Sequence, residues 1–133
     1  LLDVDTVEFD YAHHGPFPGS RAWLKGNVAR YDLRSLMLSE LMAGKKPARV
    51  IVRSHYHEWI PPETLGLEFM GETHWSTLIL TPSYCGLGAY GHQATRSTAR
   101  QTHGLVAIEV IDGRLGEIRP FKRTLDLRTK ERL

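Results

Sequence analysis

Four of the seven histidines in this chain fall into two tight groups: His13-His14, and His55 and His57 with one residue between them. Imidazole is the commonest side-chain metal ligand. Neutral imidazoles drawn from separate segments are what a zinc, manganese or iron site needs. In extended backbone, residues i and i+2 project from the same face. His55 and His57 would therefore converge on one point, or on two points a few ångströms apart. The competing reading is structural: histidines that end strands and hydrogen-bond to loop backbone.

The surrounding elements favour the metal. Residues 4–12 alternate, with Val7, Phe9 and Tyr11 on one side and Glu8 and Asp10 on the other, the period of a half-buried strand that ends at His13-His14. Pro16, Pro18 and Gly19 make 15–20 a loop, and Ser20–Leu24 reads as a short helical turn. Asn27 is the expected N-cap of an amphipathic helix over 28–43, with Val28, Tyr31, Leu36, Met37, Leu38, Leu41 and Met42 as its apolar positions and Gly44 as its left-handed terminator. Ala48–Val52 is a β-branched run that ends at the second histidine group. A β-α-β unit pairs its strands in parallel by default, so both histidine groups would arrive at one sheet edge, where open α/β sheets hold their ligands.

Beyond this unit, Pro61-Pro62 reads as a chain break and Trp75–Thr81 as a strand. Gly86, Gly88 and Gly91 make 85–92 a loop, and 94–102 is polar, with at most a helical turn. Strands at 105–111 and 116–122 flank Asp112-Gly113, a strong hairpin signal. The last ten residues are expected to fray. His74, His92 and His103 stand on separate segments and read as surface or loop histidines. The tryptophans at 23, 59 and 75 read as core or rim packing, and Cys85 as a small buried residue.

Composition narrows the class. A chain of 133 residues with 41% hydrophobic and 24% charged residues has the make-up of one globular domain, not of a fibre, a coiled coil or a disordered tail. No apolar run reaches the roughly 18 residues of a membrane span. One cysteine rules out a disulfide framework or an all-cysteine zinc site within the chain, and suits a reducing, cytoplasmic setting. A net charge of +2 does not by itself point to nucleic acid, although Arg96, Arg100, Arg119, Lys122, Arg123 and Arg128 make the C-terminal part basic.

The segments FDYAHHGP and RVIVRSHYHEW resemble the last two metal motifs of the calcineurin-like metallophosphoesterases, in the form found in phage and bacterial genomes. That family binds two metal ions through motifs D-x-H, G-D, G-N-H-[D/E], H and G-H-x-H. His13 matches the lone-histidine motif. His55 and His57 match the final one, with Ser54 where the pattern has glycine. The resemblance implies metal ligation by His13, His55 and His57. It implies a substrate phosphate near His14, whose alternatives are an outer hydrogen bond or simple packing. Glu58 would orient an imidazole or remain solvated.

The resemblance also implies a hydrolase of phosphate mono- or diesters, nucleic acid or nucleotides among them. Such enzymes hold two divalent ions, Mn²⁺, Zn²⁺ or Fe, about 3.5–4 Å apart, to polarise a phosphoryl oxygen and activate water. The implied fold class is α/β, a partial αββα sandwich: the β-α-β unit, then mostly antiparallel strands and the C-terminal hairpin.

D-x-H, G-D and G-N-H are absent, and the chain opens on Leu1 rather than Met. It is therefore expected to be a single domain forming the C-terminal part of a longer phosphoesterase. Its partner would be the missing half, another chain or a second copy. Three histidines without a carboxylate would hold at most one ion, weakly, with little turnover. The alternatives are a non-catalytic binding or scaffold module derived from that fold, and an unrelated small α/β domain with structural histidines.

Overall fold

A computed structural model describes residues 1–15, 26–55, 57–84 and 100–126. Expectations for 16–25, 85–99 and 127–133 lie outside the described residues. They include the helical turn at 20–24, the glycine-rich loop, Cys85, His92, Trp23 and the extreme C-terminus.

The described elements are β1 (Leu2–Val4), β2 (Val7–His14), α1 (Asn27–Met42), β3 (Val50–Ser54), β4 (Ile60–Phe69), β5 (Glu72–Leu80), β6 (Arg100–Ile111) and β7 (Arg114–Asp126). The fold is α/β. One mixed sheet has the order β1-β2-β3-β5-β4, and β6-β7 forms a separate two-stranded antiparallel ribbon. β2, β3 and β5 run parallel, whereas β1 and β4 are antiparallel edge strands. Among the described residues, no helix is long and apolar enough to cross a membrane.

The sheet is covered on both faces. Ile51, Leu78 and Leu80 pack against Ala29, Leu33 and Met37 of α1. On the other face Val7, Phe9, Val50, Val52 and Ile79 pack under Val106, Ile108, Val110, Leu115 and Ile118 of the ribbon. β3 is hydrophobic on both sides because it lies between these two layers. Tyr11 shares a face with Val7 and Phe9 but lies 66% exposed near the histidine end of β2, so its expected inward role is corrected.

Three further expectations change. The buried stripe of α1 is Ala29, Leu33, Met37 and Leu41, spaced by four; Tyr31 and Met42 are exposed on the other side. Asn27 is the first helical residue, and Gly26 (φ 95°) is the N-cap, with no side-chain cap. At the far end Gly44 (φ 73°) does terminate the helix. Its N–H donates to Leu41 and the Lys45 N–H to Glu40, the paired bonds of a Schellman motif.

The third concerns Pro61-Pro62, which does not break the chain. Both prolines lie at the start of β4, where the register with β5 shifts between Ile60 and Glu63. β4 is an edge strand, so a residue lacking an N–H forfeits no ladder bond on its open side.

The hairpin at Asp112-Gly113 forms as expected, with φ 48° and 70°. The same signature of two left-handed residues closes β1-β2 at Asp5-Thr6 and β4-β5 at Met70-Gly71. The ribbon tip rests on the first of these turns, the Gly113 N–H donating to the Asp5 carboxylate at 2.7 Å.

Candidate metal centre

β2 and β3 are parallel neighbours, so their C-terminal ends reach the same sheet edge. The register is one-to-one from Phe9–Val50 to Ala12–Arg53 and then jumps to His14–Ser54. His13 is thus an inserted residue. A bulge interrupts the strict alternation of side chains and re-aims them. Here it lets two consecutive histidines approach one place, with ring centroids 5.0 Å apart. The next residue must be small, because a Cβ on Gly15 would lie 2.6 Å from the Cβ of Arg53.

His55 directly follows β3 and adopts φ 88°; His57 adopts φ 55°. Left-handed backbone is uncommon outside glycine and costs on the order of 1–2 kcal/mol per residue, although histidine accepts it more readily than most. The conformation at His55 ends the extended run of β3. There the Ser54 and Thr81 hydroxyls pair at 2.9 Å and the Thr81 N–H donates to the Arg53 carbonyl.

Nδ1 of His55 stands 3.1 Å from Nε2 of His13. The His55 ring lies 5.1 Å from that of His13 and 4.5 Å from that of His14. One ligand nitrogen from each of the three lies within 4.8 Å of the other two. At metal–nitrogen distances of 2.0–2.1 Å, a nitrogen pair 3.1 Å apart subtends about 95–100° at an ion. That angle falls between octahedral and tetrahedral values, so the separation suits two ligands of one cation; without an ion the two rings hydrogen-bond to each other at this distance.

His13 and His14 are exposed and His55 is half-buried. Burial, then the neighbouring His14 and His13, hold the His55 imidazole below its ordinary pKa of 6.5. The neutral form is the one that binds metal.

The converging set is His13, His14 and His55; His14 stands in it although the sequence set it toward the substrate. The ring of His57 is not part of this cluster. Its carbonyl accepts the Thr102 N–H at 3.0 Å, which ties the segment after β3 to β6. His103 lies on β6, and His74 lies on β5 with its ring 4.0 Å from Glu72, so neither joins the cluster. The cluster itself holds no carboxylate.

Beneath it lies a network that the sequence reading missed. Arg53, 7% exposed, donates to the Asp10 carboxylate and to the carbonyls of Asp10 and Val52. Asp32 of α1 lies within its electrostatic reach; burial raises the Asp32 pKa and Arg53 opposes the rise. The available signal was an arginine closing a β-branched run: a charge in a two-sided core needs a partner.

Comparison of the chain with family models, curated proteins and solved structures finds no match.

Proposed function

We propose that this protein is a metal-dependent phosphoesterase domain of the calcineurin-like kind, with its metal ligands at the common end of β2 and β3. The observation that carries this reading is the convergence of His13, His14 and His55 from two parallel strand ends separated by a helix. Those two ends bear the very segments that resemble the family's motifs. The covered mixed sheet and the ribbon are compatible with part of its αββα sandwich.

In this reading His13 and His55 hold one ion. His57, two residues further along and outside the cluster, serves a second. His14 either completes the first ion's shell or donates to the substrate phosphate. A bound divalent ion supplies Lewis acidity toward a phosphoryl oxygen. The chain's own contribution is to favour the neutral form of the His55 imidazole and to bring the three rings to one place: the bulge at His13 and the left-handed backbone at His55 set their directions, and Arg53 with Asp10 fixes the two strands to each other.

Two dications close together repel, and three neutral imidazoles do nothing to offset that. A dinuclear centre therefore needs carboxylates from outside the cluster, supplied by further sequence or by a partner chain. The absence of a carboxylate from the cluster also favours a second reading, a metal-binding module without turnover. Hydrolysis of bis-p-nitrophenyl phosphate with Mn²⁺, by this chain and by any longer form carrying D-x-H and G-N-H motifs, separates them. Cleavage lost in the His55→Ala protein supports the enzyme. Metal binding with no cleavage of several mono- and diesters by either form supports the module.

A further inference from the structure

The opposite end of the sheet carries a second feature, unrelated to the histidines. A hollow of about 570 Å³ lies between the ribbon tip and the start of β3. Its lining residues include three cationic ones, Lys46, Arg49 and Arg114, and one acidic one, Glu8. His74, the remaining titratable group there, is the one close to Glu72. Arg49 is half-buried, and its guanidinium donates to Thr77 Oγ1 at 2.8 Å. Among the described residues, no carboxylate lies within ion-pair distance of Arg49, Lys46 or Arg114. A partly desolvated guanidinium without a counter-charge is costly unless an anion completes it. A planar fork of donors suits phosphate.

The rim of the same hollow is Trp75. Three contiguous carbons of its six-membered ring lie 2.9, 2.9 and 3.0 Å from where a Cβ on Gly66 would be. Near-equal distances to adjacent ring atoms mean that the indole turns one face onto Gly66. Its other face points outward, and the residue is 55% exposed. Cations beside an open aromatic face are the elements that hold a phosphate and stack the base attached to it.

We propose that this hollow is a nucleotide-binding site: Arg49, Lys46 and Arg114 take the phosphate and Trp75 stacks the base. Along β3, Arg49 and His55 are separated by about 20 Å at 3.3 Å per residue, so the site is independent of the histidine cluster. The ligand is a nucleoside phosphate, either free or as part of a single strand.

The test is fluorescence anisotropy of a labelled oligothymidylate on the whole chain, in EDTA so that no metal bridges strand and histidines. Saturable binding is expected. The exposed double variant Lys46→Glu/Arg114→Glu should weaken it about tenfold or more, with a shallower salt dependence. Trp75→Leu should weaken it about fivefold or more, while Trp75→Phe keeps most of the affinity. Tyr31→Ala, at an exposed position of α1 that does not line the hollow, should leave it unchanged. Competition by thymidine monophosphate supports a free nucleotide as ligand; competition by unlabelled oligomer alone supports a strand. No saturable binding, equal affinity in the charge-reversed and Trp75→Leu proteins, loss of binding in Tyr31→Ala, or inorganic phosphate competing as well as the mononucleotide would each overturn the proposal.

Discussion

Arg53 and Asp10 form an ion pair diagonally across the parallel strands β2 and β3, two register positions apart, below the histidine cluster. The Arg53 side chain is 9% exposed and that of Asp10 36%, so the pair is shielded on one side and wet on the other. It joins the two strands whose ends carry the candidate ligands. It therefore connects the stability of the sheet to the geometry of the site.

Replacing Arg53 by Met leaves Asp10 without its cation and two main-chain carbonyls without their donor. The expected loss is about 2–3 kcal/mol, below that of a fully buried pair because Asp10 is partly solvated. Chemical denaturation measures it. Arg53→Lys, which keeps the charge but not the fork, should lose less stability.

Asp32 tests the same network from the helix side. Burial raises its pKa above the ordinary 3.8, with Arg53 pulling the other way. The folded state thus holds this proton more tightly than the unfolded chain. The associated stability is present in acid and is lost as pH rises through the raised value. Asp32→Asn should raise the melting temperature at pH 7 and change it little at pH 3. A uniform effect at both would contradict the assignment.

His55 runs in the other direction. Its folded pKa is depressed below 6.5, chiefly by burial. Its contribution to stability is full above pH 6.5 and is lost as pH falls through that value toward the depressed one. In metal-free protein, melting temperature should fall from pH 7 to pH 5, and His55→Asn should flatten that slope. An unchanged slope would locate the pH dependence elsewhere.

Two packing predictions test the fold. Leu33 is fully buried between α1 and the sheet, so Leu33→Ala should cost about 2–5 kcal/mol, whereas Tyr31→Ala on the opposite, exposed side should cost little. Gly104 has φ 151°, and a Cβ there would lie 2.0 Å from the Phe121 carbonyl. Gly104→Ala should therefore destabilise the ribbon by more than a typical surface change, read as a lowered denaturation midpoint.

The legible parts of the molecule were those encoded locally. The alternation in β2, the β-branched run of β3 and the Asp112-Gly113 turn were each visible in a few residues, and pairing β2 with β3 brought His13 near His55. β4 was not, because prolines read as a break until the strand is known to be an edge. The stripe of α1 is misread at Ala29, which is small and weakly hydrophobic, and at Tyr31 and Met42, which look like core; Leu33, fully buried, is missed although its residue type marks it. The presence of His14 in the cluster depends on a bulge, and a one-residue insertion in register leaves no mark in the residue types. The Arg53–Asp10 pair is a contact 43 positions apart in sequence, fixed only by the register of two strands.

In the proposed site His13 and His55 share a cation. Isothermal titration of Mn²⁺ and Zn²⁺ into metal-free protein at pH 7.5 tests it most directly. Saturable binding of at least one of them is expected, close to one ion per chain, lost in both His13→Ala and His55→Ala while their metal-free folds persist by circular dichroism. No binding of either ion, or binding unchanged in those two variants, would contradict it.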